Sequence, residues 1–102
     1  MGVLADARRS PGAAEPIIIG CDLRVEGAGD LIAAALASAD AEPAYVVNNA
    51  GYGLFGSARR LDRNDQLGMV DVNVRTATDL SLRFIESVIA RKGGILNVAS
   101  IA

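Results

Sequence analysis

The sequence predicts an α/β fold in which parallel strands are joined by helical crossovers. Three observations carry that prediction. Apolar, β-branched runs alternate with stretches of helical periodicity, an order that lays helices against a parallel sheet. The runs at 16–21, 45–47 and 95–98 are largely apolar, with Asn97 the exception, as strands covered on both faces are. Each strand candidate also ends in polar residues: Asp6 with Arg8 and Arg9, then Asp22, Asn48 and Asn49, and finally Asn97 and Ser100. Parallel strands bring such endings to one edge, where open α/β sheets hold ligands.

Taken in order, residues 2–6 form a short apolar run suited to the end of a strand, and Ser10-Pro11-Gly12 marks a loop. Residues 16–21 read as a buried strand ending at Asp22, with Cys21 as a small buried side chain. Asp30 is placed to cap a helix over 31–38, which is rich in good helix formers. Pro43 separates that helix from the strand at Tyr45. Asp62 is placed to cap a long helix reaching about Lys92. Its face is drawn by Val70, Val74, Ala77, Ser81, Phe84 and Val88, with Arg91 and Lys92 in the last turn and Gly93-Gly94 as the stop. A last strand follows at 95–98. The expectation is about four strands and two main helices in one domain spanning 1–102.

Composition narrows the function classes. The chain has 102 residues, is 51% hydrophobic, and carries a net charge of −2, which argues against a nucleic-acid partner. With no histidine and one cysteine, it builds neither a zinc site nor a disulfide framework. No metal site is expected. The longest apolar stretch, 31–37, is too short to cross a membrane, and the N-terminus lacks a secretory leader. A cytoplasmic location is the expectation.

The informative stretch is A-Y-V-V-N-N-A-G-Y-G at 44–53. Two adjacent amides at the end of an apolar strand are costly if buried without partners, so backbone or a ligand must answer them. Ala50 and Gly51 then leave bare backbone that another molecule can approach. Gly51, Gly53 and Gly56 also match G-x-G-x-x-G. No helical face follows until Leu67, so this spacing is not read as a dinucleotide fingerprint.

Asn48-Asn49-Ala50-Gly51, Asn73 within D-V-N-V, and I-L-N-V-A-S ending at Ser100 resemble the short-chain dehydrogenase/reductase family in order and spacing. Cys21-Asp22-Leu23 and Ala7-Arg8-Arg9 fit it as well. The resemblance implies a partial Rossmann-like, doubly wound parallel sheet that binds NAD(P). The activity it implies is hydride transfer between that cofactor and a small-molecule carbonyl or alcohol. On that resemblance, Asp22 accepts from the adenine amino group and Leu23 flanks the ring. Asn48, Asn49, Ala50 and Gly51 hold the strand end and line the ribose. Ser100 binds the reacting oxygen, and the Asn73 carbonyl holds a water in a proton relay. Arg8 or Arg9 suits a 2′-phosphate, which leans the cofactor toward NADP, while Asp6 pulls toward NAD. Leu54 and Phe55 are placed either on the near side of the substrate pocket or in the core, and Arg59 and Arg60 are read as solvated. Leu80, Ile85 and Ile89 form a second apolar set for packing on the sheet or for a homo-oligomer contact.

The chain also departs from the family pattern. It has no glycine-rich T-G-x-x-x-G-x-G turn and no Y-x-x-x-K after Ser100, and neither Tyr45 nor Tyr52 has a lysine four residues on. The expectation is therefore a truncated oxidoreductase, inactive by itself. A non-catalytic interaction module and a vestigial fragment are the alternatives.

Overall fold

Between Tyr45 and Asn97 the chain builds a β-α-β unit in which the crossover is one long, interrupted helix. The computed structural model describes residues 15–99. Helix α1 (Ala28–Ser38) leads into strand β1 (Tyr45–Asn48). The chain then loops to α2 (Arg63–Val70), passes through a π-helical segment (Asp71–Thr76), and continues as α3 (Ala77–Ala90) into β2 (Gly94–Asn97). The two strands are parallel, with Val46 opposite Ile95 and Asn48 opposite Asn97. The Val98 N–H donates to the Asn48 carbonyl at 3.0 Å and extends the pairing by one residue.

Only two strands form among the described residues, so the expectation of four is corrected. Residues 16–21 are irregular, and Ile17 and Ile18 are about half exposed. An apolar run becomes a strand only when a neighbour answers its N–H and C=O groups, and no described strand lies beside this one. Cys21 is accordingly exposed rather than buried. The expected strand at 2–6 lies outside the described residues.

The long helix begins as its sequence indicates: the Asp62 carboxylate accepts from the Asp65 N–H at 3.1 Å, a side-chain N-cap. Its apolar face is the expected one over α3 but not before it. Ala77, Ser81, Phe84 and Val88 turn inward, but Val74 is 58% and Val70 49% exposed, while Val72 and Thr76 are buried in their place. The π-helical segment explains the shift. Its i→i+5 ladder takes more residues per turn and moves everything upstream out of phase with a uniform helical stripe.

Helix α1 starts earlier than expected, with Gly27 (φ 93°) rather than Asp30 at its N-cap; Asp30 sits in the first turn. Both α1 and α3 end in the same hydrogen-bonded cap. The Ala41 N–H donates to Leu36 and the Asp40 N–H to Ala37; the Gly93 N–H donates to Val88 and the Lys92 N–H to Ile89. This is a Schellman motif, and the left-handed residues are Asp40 (φ 52°) and Lys92 (φ 54°) rather than glycine. Gly93 is needed for a different reason. A Cβ there would strike the carbonyl of Ala44, which accepts from the Gly94 N–H at 3.2 Å where the strands first meet.

Apolar burial is thin. Ala28, Val72 and Val88 are the buried hydrophobic residues among those described. One face of the sheet turns toward α3, to which Asn48 bonds. On the other face Tyr45 is 71%, Val47 59% and Leu96 59% exposed. Polar ties carry much of the joining. The Ser87 hydroxyl donates to the Pro43 carbonyl at 2.6 Å, Arg91 pairs with Glu42 at 2.7 Å, and Arg83 of α3 pairs with Asp30 of α1 at 2.7 Å. No described helix is long and apolar enough to cross a membrane.

Because the Ala44 carbonyl cannot yield without parting the strands, Gly93→Ala is expected to cost about 2 kcal/mol or more. Urea denaturation followed by circular dichroism checks this; an unchanged midpoint would refute the close approach.

Candidate functional site

Parallel pairing puts the carboxyl ends of β1 and β2 side by side, and the polar residues that follow them meet there. The Asn48 amide donates to Asn97 Oδ1 at 2.8 Å, to the Ser81 hydroxyl at 2.9 Å, and more distantly to the Ala77 carbonyl at 3.5 Å. The Ser81 hydroxyl donates in turn to the Ala77 carbonyl at 2.8 Å. This half-buried amide therefore pins two strand ends to one helix. Its hydrogen atoms are spent on protein, and it acts as a bolt under the rim.

Beyond the bolt, Asn49, Ala50 and Gly51 are exposed backbone. Their position is fixed from the helix side. Asn73, within the π-helical segment, grips the next residue by both main-chain groups. Its Oδ1 accepts from the Tyr52 N–H at 3.2 Å and its Nδ2 donates to the Tyr52 carbonyl at 2.9 Å. A Cβ on Gly51 would lie 2.6 Å from Asn73 Oδ1, so the grip is possible only beside glycine. The Tyr52 hydroxyl then donates to the Asp65 carbonyl at 3.2 Å and anchors the loop to α2.

The same segment holds the turn carrying Asp22 and Leu23. Thr76, buried, donates its hydroxyl to the Leu23 carbonyl at 2.6 Å. Within the turn, Asp22 Oδ1 accepts from the Arg24 N–H at 2.9 Å and from Nε at 3.1 Å, and Oδ2 accepts from Nη2 at 3.0 Å. These hydrogen bonds from Arg24 hold the Asp22 carboxyl below the usual aspartate range and raise the guanidinium's pKa. Arg24 and Tyr52 both lie over Gly68, which has no side chain to keep them apart. The Asp22 turn, the Gly51 loop and the Asn73 segment thus share one rim.

Chemically, the rim offers an ionised, partly exposed carboxylate that can only accept hydrogen bonds, beside open backbone that can be approached closely. Arg8, Arg9 and Ser100, expected at this edge, lie outside the described residues, as does Asp6. Leu54 is half-buried, whereas Phe55 is 86% exposed. Gly51, Gly53 and Gly56 open no helix, since α2 begins only at Arg63. No cluster able to hold a metal ion occurs among the described residues.

Sequence reasoning missed Arg24, Thr76 and the main chain of Tyr52. Arg24 had a local signal, because D-x-R spacing closes an Asp side chain onto the turn that follows it. The role of Thr76 depends on a tertiary contact 53 residues away in sequence and had no local signal.

No family model matches the chain, and no curated protein matches it. Solved structures do. The chain is 32% identical, with a TM-score of 0.63 over 78% of its length, to a 3-oxoacyl (acyl-carrier-protein) reductase from Agrobacterium tumefaciens with NADP bound. It is also 32% identical, with a TM-score of 0.62 over 82% of its length, to a metagenomic short-chain oxidoreductase in complex with NADP. It covers 31% and 38% of those two chains, about a third of each. The resemblance to the short-chain dehydrogenase/reductase family is thus found in the fold as well as in the motifs.

Because Asp22 is held in its charged form, the turn's hydrogen bonds persist at neutral pH and are lost as pH falls through the lowered pKa. The Arg24 amide proton shift is expected to titrate with a midpoint below ~3.9, the ordinary aspartate value. Asp22→Asn should abolish the transition in an NMR titration; a midpoint at or above the ordinary value would refute the assignment.

Proposed function

We propose that this chain is the nucleotide-binding portion of an NADP-dependent short-chain dehydrogenase/reductase acting on a small-molecule carbonyl or alcohol. One observation carries the reading: the Asp22 turn and the loop that follows the carboxyl end of β1 are both tied to one π-helical segment, through Thr76 to Leu23 and through Asn73 to Tyr52. The likeness to two oxidoreductases with NADP bound supports it. The fit to a nucleotide rests on the exposed carboxylate at Asp22 and on the bare backbone at Gly51, where a Cβ would meet Asn73.

In this reading Asp22 accepts from the adenine amino group and Leu23 flanks the ring, its carbonyl steadied by Thr76. Asn49, Ala50 and Gly51 line the ribose, while Asn48 keeps the strand ends aligned beneath them. Arg8 and Arg9 favour a 2′-phosphate. Bound NADP supplies the hydride-carrying ring. Ser100 would donate to the reacting oxygen as negative charge develops there. The backbone carbonyl of Asn73 would hold a water for proton transfer, in a π-helical segment of the kind that often marks functional positions.

The 102 residues include no glycine-rich pyrophosphate turn and no Y-x-x-x-K. We therefore expect them alone to bind NADP weakly, with Kd of about 1 mM, near −4 kcal/mol, and to leave NADPH unoxidised. Saturation-transfer NMR tests the reading. Adenine protons of NADP should receive magnetisation from the chain, more than those of NAD, and Asp22→Ala should remove the signal. No transfer to adenine, or transfer unaffected by the substitution, would overturn the reading.

A further inference from the structure

The loop from β1 to α2 carries a second polar feature that the rim does not use. Ser57, Arg59 and Arg60 line an open hollow of roughly 480 Å³. Arg24, Arg75, Arg83 and Arg91 each pair with a carboxylate, at 3.0, 3.6, 2.7 and 2.7 Å. Arg59, Arg60 and Arg63 pair with none among the described residues. The nearest acid in sequence, Asp62, already accepts from the Asp65 N–H. In a chain of net charge −2, guanidinium groups left unpaired in a row are a local reversal of sign.

The turn that presents them is held in shape. The Arg60 and Leu61 N–H groups donate to the Ser57 carbonyl at 2.9 and 3.1 Å. The Gln66 side-chain amide donates to the Ala58 and Leu61 carbonyls at 3.1 and 3.2 Å. Gly56 enters the turn at φ 130°, a backbone region close to glycine's own. Arg63 opens α2, where the helix dipole disfavours a cation and favours an anion. Adjacent guanidinium groups and a hydroxyl on a fixed turn suit a tetrahedral anion with several acceptor oxygens.

We infer that Ser57, Arg59 and Arg60, with Arg63 just beyond the turn, form a subsite for a phosphoryl group carried by the small-molecule substrate. The assignment to substrate rests on the oxidoreductase reading; the binding itself does not. The test is a heteronuclear NMR titration of the 102-residue chain with inorganic pyrophosphate, reading the arginine Nε–H signals and the Ser57 amide. Pyrophosphate should move the Arg59 and Arg60 signals at concentrations that leave Arg75 in place. The double variant Arg59→Ala, Arg60→Ala should weaken binding about tenfold, with the Tyr52 amide shift unchanged as a check on the fold. Equal shifts at Arg75, or undiminished binding by the double variant, would overturn the subsite. Displacement of pyrophosphate from Arg59 and Arg60 by NADP would overturn its assignment to substrate. Absence of magnetisation transfer from the chain to the adenine protons of NADP, with the arginine shifts retained, would count against the oxidoreductase reading and leave the anion site standing.

Discussion

The double hydrogen bond from the Asn73 amide to the main chain of Tyr52 is the constraint on which the rest of the rim depends. A primary amide has an acceptor and a donor set at the spacing of a peptide N–H and C=O, so it can clasp one residue as a neighbouring strand would. Here that clasp replaces strand pairing for a segment that has left the sheet. It holds Asn49, Ala50 and Gly51 open at the edge instead of letting the loop fold back.

The same π-helical segment reaches the other way through Thr76 to Leu23. Two turns far apart in sequence are therefore tied to one six-residue element, through Asn73 and Thr76. Each such hydrogen bond contributes only about 1 kcal/mol net. With Ala28, Val72 and Val88 as the buried apolar set, these polar ties matter more to the rim's geometry than they would above a thick core. The uncovered sheet face at Tyr45, Val47 and Leu96 has no bearing on the rim, which is built on the strands' ends.

Much of this was legible in the residues. The alternation of strand and helix patterns gave the parallel pair, and the Asn48-Asn49-Ala50-Gly51 run marked the edge where the polar groups gather. The Asp62 cap was readable because a side-chain cap is a local interaction. What could not be read was tertiary. The π-helical shift, which buries Val72 and Thr76 and exposes Val70 and Val74, leaves no mark in a hydrophobic periodicity that looks uniform. The 16–21 run has the composition of a strand but no described partner, and composition cannot supply one. The stop at Gly93 was placed correctly for a mistaken reason: Lys92 takes the left-handed position, and Gly93 is small because the Ala44 carbonyl needs the space.

A break in the helical ladder at 71–76 joins the two turns. The most direct measurement is a set of NMR distance restraints on the chain in solution. Cross-peaks are expected from the Asn73 side-chain amide protons to Gly51 and Tyr52, together with an interrupted i→i+4 pattern across the segment. A continuous α-helical pattern from Arg63 to Ala90, with no cross-peak between Asn73 and Tyr52, would contradict it.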